Sequence, residues 1–204
     1  MSFGDLKTRL KALVNRKDLT DQLAAQFITD AVADVEREAR IGPMEVVLTQ
    51  ATWDGTKNAI LVPGNFLETI NIFTDSRELD QTDISKFLNI EDLGGTPTHF
   101  VKVGNRWLLR PTPAPNTRVY LHYYAEAEPL LNDSDTNTWT RTAPNAVVYT
   151  AAALAADFFQ MEDEHAQRYA ARARSYLDAL QNQDISEKWG GRLTVPMPAD
   201  GGRF

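Results

Sequence analysis

The hydrophobic period of this chain changes twice, from helical to alternating and back again, and that double switch constrains the fold more than any motif does. Near the start, Leu6, Leu10, Leu13 and Val14 recur at helical spacing, and Asn15-Arg-Lys-Asp18 breaks the pattern. Thr20 is placed to cap a second helix, with Asp21 in its first turn where a carboxylate favours the helix dipole. Leu23, Phe27, Ala31, Val35 and Ala39 then step by four along one face, and Gly42-Pro43 is expected to stop that helix. From Met44 the period becomes two. The runs 46–53 and 59–62 flank Asp54-Gly55 and read as a hairpin, and 66–74 is a third strand. Residues 84–88 read as a helical turn. The runs 100–103 and 107–110 form a tight hairpin across Gly104-Asn105-Arg106, and 119–124 is a further strand. Helical spacing returns with Thr142 as the expected cap and Pro144 in the first turn. Val147, Ala151, Leu154, Ala155 and Phe158 make one stripe; Ala166, Tyr169, Ala173, Tyr176 and Leu180 make another, alanine-rich enough for close helix approach. The predicted fold is therefore α+β. Two N-terminal and two C-terminal helices (1–43 and 142–184) form an α-helical bundle, a small antiparallel β region (44–141) is inserted between them, and an extended C-terminal arm (185–204) follows. No helix of useful length is expected to interrupt the β region for βαβ winding.

The arm is the odd segment. From Trp189 onward it holds four glycines and two prolines, which exclude a helix or a central strand. A solvated tail should be polar, yet Trp189, Leu193, Val195, Met197 and Phe204 are spaced along it. Such a strip is expected to lie in a groove, either on its own domain or on another subunit. The second case makes the protein part of an assembly, with Trp189, Leu193, Val195, Pro196, Met197, Pro198 and Phe204 as its partner-binding residues. Arg168, Arg172 and Arg174 fall on the exposed side of the last helix. They serve a salt-bridged surface or, alternatively, a contact to an acidic neighbouring subunit.

Several chemistries find no residues to carry them. The net charge of −7 argues against tight phosphate-backbone binding, although an acidic wall lets a nucleic-acid strand pass without sticking. Without cysteine there is no disulfide, thiolate metal site or cysteine nucleophile. His99, His122 and His165 show no metal-ligand spacing, and no HExxH, glycine-rich phosphate loop or GxSxG elbow occurs. Asp133-Ser-Asp-Thr-Asn137 resembles half of a calcium loop, but Thr138 and Pro144 stand where glycine and a bidentate glutamate are needed, so it reads as a polar connector. Glu162, Asp163 and Glu164 point in different directions at a helix start, where acids are favoured anyway. Trp53, Trp107 and Trp139 read as core or sheet-face residues. No catalytic, cofactor or metal residue is expected, nor a membrane span or secretion signal, which leaves a soluble protein made in the cytoplasm.

Six ordered pieces carry a family likeness: Leu61-Val-Pro-Gly-Asn-Phe-Leu-Glu68, Gly95-Thr-Pro-Thr-His-Phe100, Leu109-Arg-Pro-Thr-Pro113, His122-Tyr-Tyr124, Pro129-Leu-Leu131 and Pro144-Asn-Ala-Val-Val-Tyr149. In this order, between an N-terminal helix pair and a C-terminal one, the chain resembles the head-to-tail adaptor (connector) proteins of tailed bacteriophages over about residues 5–183. Asn65 stands where relatives often carry an acid before the phenylalanine. The resemblance implies a structural virion protein of the neck, assembled as a homo-oligomeric twelve-fold ring (a dodecamer) below the portal. DNA passes through such a ring without specific binding, tail proteins attach beneath it, and C-terminal arms reach up to the portal protein. Other readings are a different neck component, such as a stopper or tail terminator, or a non-viral enzyme or regulatory module.

Overall fold

Helix α1 (Phe3–Val14) starts with a capping box: the Ser2 hydroxyl accepts from Asp5 N–H while the Asp5 carboxylate accepts from Ser2 N–H. The computed structural model describes residues 1–52 and 59–188. In helix α2 (Asp21–Glu38) the Thr20 hydroxyl accepts from Leu23 N–H at 3.2 Å, so the expected cap is present. The helix ends earlier than Gly42-Pro43 would stop it. Ala39 is already extended, Gly42–Met44 forms a single 3-10 turn, and Arg40 donates to the Glu36 and Ala39 carbonyls left open at the helix end. The extended exit allows both Ala39 and Ile41 to be fully buried, which a continuing helix would not.

The β region contains β1 (Glu45–Thr52), β2 (Ile60–Leu61), β3 (Phe66–Thr74), β4 (Asp80–Gln81), helix α3 (Ile84–Asn89), β5 (His99–Val103), β6 (Arg106–Arg110) and β7 (Arg118–Ala125). Among the described residues the expected hairpin of 46–53 with 59–62 is not found: β1 pairs with β7, and β2 pairs with β6. Trp53 and the Asp54-Gly55 turn signal lie outside the described residues. The reason is ladder length. Strand β7 alternates strictly, burying Val119, Leu121, Tyr123 and Ala125, and its two sides take the eight-residue β1 and the nine-residue β3. The two-residue β2 could give β1 only a fraction of those hydrogen bonds. The result is a three-stranded sheet in the order β1-β7-β3 and a four-stranded sheet in the order β2-β6-β5-β4. The expected β5–β6 hairpin is present, with Gly104 supplying the left-handed conformation (φ 59°) that its turn requires. One pairing is parallel, contrary to expectation: β4 and β5 meet over two residue pairs, with the short α3 in the crossover.

The chain then forms α4 (Thr138–Thr142), α5 (Pro144–Phe158) and α6 (Asp163–Lys188). Thr142 does not cap α5. It ends α4, whose cap is Asn137, and α5 starts from Ala143 with no side-chain cap, Pro144 having no N–H to satisfy. Trp139 dictates this extra helix, because it is fully buried among the helices. Helix α5 touches α1, α2 and α6 and buries Ala146, Ala151, Ala152, Ala155 and Ala156. The close approach expected of the alanine-rich α6 is made to α5, which is itself lined with small residues because it has neighbours on several sides. On α6 the buried residues are Tyr169, Ala173 and Leu177, while Tyr176 turns outward and stacks on Tyr149 at 5.7 Å. Phe158 is likewise 58% exposed, resting edge-on against Phe27.

Two separate apolar clusters follow this division. One unites α1, α2, α4, α5 and α6; the other holds Ile72, Leu121 and Tyr123 together with Phe100, Trp107 and Leu109 from the second sheet. Residues 185–188, expected to open the arm, belong to α6, which continues to Lys188, and the rest of the expected arm lies outside the described residues. No helix breaker precedes Gly190, and the Asp184–Lys188 pair, four residues apart, closes the last turn.

Candidate functional site

The polar residues of the β region gather on one face of the three-stranded sheet. Alternation buries Val119, Leu121 and Tyr123 and leaves Tyr120, His122 and Tyr124 half-buried on the other side. Phe73 stacks on Tyr120 at 5.1 Å between centroids. His122 bonds through Nδ1 with Asn71 Oδ1 at 3.0 Å and through Nε2 with Glu45 Oε2 at 3.2 Å. Asn71 lies directly across the ladder from it and Glu45 on the diagonal, two residues along β1 from the opposing Val47, so sheet register alone explains the arrangement.

This face also receives the end of α6. Lys188 Nζ lies 2.6 Å from Glu45 Oε1, 3.0 Å from Asp184 Oδ2 and 3.0 Å from the Tyr124 hydroxyl, to which it donates. Asp184 Oδ1 accepts from Gly42 N–H at 2.6 Å. Partial burial acts to lower the Lys188 pKa, but its hydrogen bonds to Glu45, Tyr124 and Asp184 outweigh that and hold it well above the ordinary lysine value. Burial acts to raise Glu45, yet the hydrogen bond and charge of Lys188, followed by those of His122, keep its carboxyl below its usual value of 4.5. A carboxyl held down in the folded state stabilises above the unfolded pKa and loses that contribution as pH falls through the folded one. Melting curves should therefore show wild-type protein losing stability on acidification below 4.5 faster than Glu45→Gln does. Parallel acid limbs in the two proteins would show that the cluster holds no net energy.

A second carboxylate behaves oppositely. Glu36 is 8% exposed, and its Oε1 accepts from the Trp139 indole at 3.0 Å and from Ala127 N–H at 2.7 Å. Burial pushes its pKa up, against the two hydrogen bonds. It joins α2, α4 and the exit of β7 through the two hydrogen bonds of its Oε1. It is a tie between the helices and the β region.

The residues singled out in the sequence are distributed differently. Trp189, Leu193, Val195, Pro196, Met197, Pro198 and Phe204 lie outside the described residues. Arg168, Arg172 and Arg174 are exposed on α6. Arg174 reaches Glu38 at 3.9 Å, and Arg168 lies over the Tyr169 ring and within 3.4 Å of His165. Arg174 and Leu177 also border a groove of about 510 Å³ between α5 and α6. His99 bonds with the neighbouring Thr98. Asp135 accepts from the Leu131 and Asn132 N–H groups and Asp133 pairs with Lys7, so the acids of 133–137 shape a connector and do not converge on a centre. Among the described residues no cluster of His, Asp and Glu is arranged to hold a metal ion, and no helix is long and apolar enough to cross a membrane. Sequence reasoning missed the Glu45–Tyr124–Lys188 cluster. Its members are ordinary polar residues far apart in the chain (64 positions between Tyr124 and Lys188), and no local pattern announces them.

A family model described as SU10 adaptor protein matches residues 1–196, nearly the whole chain. No curated protein matches it.

Proposed function

Because the chain belongs to the SU10 adaptor protein family, a family of phage head-to-tail adaptors, we propose that its copies assemble as a twelve-fold ring below the portal, through which DNA passes and to which tail proteins attach. Membership alone makes the protein a structural adaptor of the virion, associated with portal and tail proteins, in a family that is not enzymatic in general. The match over residues 1–196 carries the reading, since it spans the helices, the β region and most of the arm together.

In this reading α1, α2, α5 and α6 act as one bundle that forms the body of each subunit, the β region is inserted into it, and the arm beyond Lys188 engages the portal. Trp189, Leu193, Val195, Met197 and Phe204 are its anchors, with Pro196 and Pro198 keeping it extended. Arg168, Arg172 and Arg174, all exposed on α6, face a neighbouring copy. The net charge of −7 suits a channel wall, because each phosphate contact would retard a passing duplex.

The test is to mix purified subunit with portal and examine the product by native mass measurement and electron microscopy. The expected species is a portal carrying one closed ring of uniform copy number. A subunit that leaves the portal bare across a range of salt and protein concentrations would rule the proposal out.

A further inference from the structure

The last turns of α6 have little apolar support. Leu177 is its last buried residue, Leu180 is only partly buried against the helical cluster, and Ile185 is 55% exposed. A helix end in that position frays unless something else holds it, because its final carbonyls and side chains face water. Polar contacts from three distant parts of the chain hold it here. Gln181 donates to the Glu38 carbonyl at 3.3 Å, Asp184 accepts from Gly42 N–H, and Lys188 is bound by Glu45 at the start of β1 and by Tyr124 near the end of β7. Lys188 is also within 5.5 Å of the Tyr124 ring centroid. An isolated exposed ion pair contributes little. This one has three oxygen partners around a single ammonium, and its two carboxylates are only 24% and 12% exposed.

We infer that Lys188 and Glu45, with Asp184 and Tyr124, form a latch that fixes the last turn of α6 against the three-stranded sheet, and with it the point from which the chain continues into residues 189–204. Lys188 is a positioning residue: it holds the last turn of α6 against the sheet. The inference rests on the proposed role of the arm in binding the portal and deepens it. An arm with a fixed point of departure has fewer arrangements to lose on docking, so the latch lowers the ordering cost of attachment. Coupling to the sheet is direct, since Glu45 also holds His122, which in turn holds Asn71 on β3.

The chain has no cysteine, so Ser186→Cys in the last turn of α6 and Ile70→Cys on β3 can carry the only two spin labels. In the full chain they should report one narrow distance distribution, which broadens in Lys188→Met and in Glu45→Gln and stays narrow in Lys188→Arg. Portal affinity should fall roughly tenfold in Lys188→Met, the scale of losing about 1.4 kcal/mol of preorganisation, and Lys188→Arg should retain most of it. An unchanged label distribution in Lys188→Met overturns the latch. So does unchanged portal affinity in that variant when a chain ending at Lys188 fails to bind. If the chain ending at Lys188 still binds the portal, the arm's role is wrong, and the label distances still decide whether the latch exists.

Discussion

A chain that stops after Lys188 should fold as the parent does and fail to attach to the portal. Among the described residues the last contributor to either apolar cluster is Leu180, so the truncated subunit should keep its cores and its latch. What it loses is the strip whose glycines and prolines forbid regular structure and whose large side chains need a surface. Ordering each arm residue on a partner costs roughly 1–2 kcal/mol of backbone entropy. Polar contacts at a wet rim seldom offset that, whereas buried apolar area contributes about 25 cal/mol per Å² and an aromatic side chain can bury about 150–250 Å². Trp189 and Phe204 should therefore dominate. Each alanine replacement is expected to weaken attachment by about 2 kcal/mol or more, on the order of thirtyfold, while Pro196→Ala changes it much less. Co-sedimentation with portal measures the loss, and a thermal melt confirms the fold. Full attachment by the truncated chain would remove the arm from the interface.

Glu36→Ala should be the most destabilising single change that removes little apolar volume. The Trp139 indole and Ala127 N–H would each lose their acceptor in a buried setting, at about 1–3 kcal/mol apiece. A total on the order of 2–6 kcal/mol corresponds to a fall in Tm of roughly 5–20 °C for a domain of this size. Glu36→Gln keeps an acceptor oxygen and removes the charge. Because burial raises the Glu36 pKa, its contribution to stability is complete below 4.5 and declines as pH rises through the folded value. Relative to wild type, Glu36→Gln should therefore improve as pH rises from 4 towards 7, opposite in sign to the dependence expected at Glu45. A Glu36→Ala protein that melts with wild type would show that solvent reaches both donors and that the tie is superficial.

The helices were legible because a helix is a local object. The Thr20 cap, the stripe through Phe27, Ala31 and Val35, and the β5–β6 turn at Gly104 all depend on residues a few positions apart. The failures share one cause, which is that the competing partner was remote. The turn signal at Asp54-Gly55 favoured a hairpin, but β7 offered β1 a longer ladder from some seventy residues downstream. Thr142 is a good cap by type, yet the burial of Trp139 against Glu36, 103 positions away, imposed a separate helix and moved the start of α5 to Pro144. Alanine content marked α6 for close packing, which it makes against α5, but that α5 would also meet α1 and α2 and so need small residues on several sides was not legible locally.

Periodicity and composition by themselves determined the α+β class, the order of helical and extended segments, the absence of thiol chemistry and the likeness to phage adaptors, because each is a property of neighbouring residues or of the whole inventory. Only the tertiary structure decided that β7 is the centre of its sheet, that Glu36 is buried as a tie, and that Lys188 meets Glu45 and Tyr124 at the base of the arm. Those outcomes depend on which distant groups share a small volume, and that choice is made by the free energy of packing the whole chain at once.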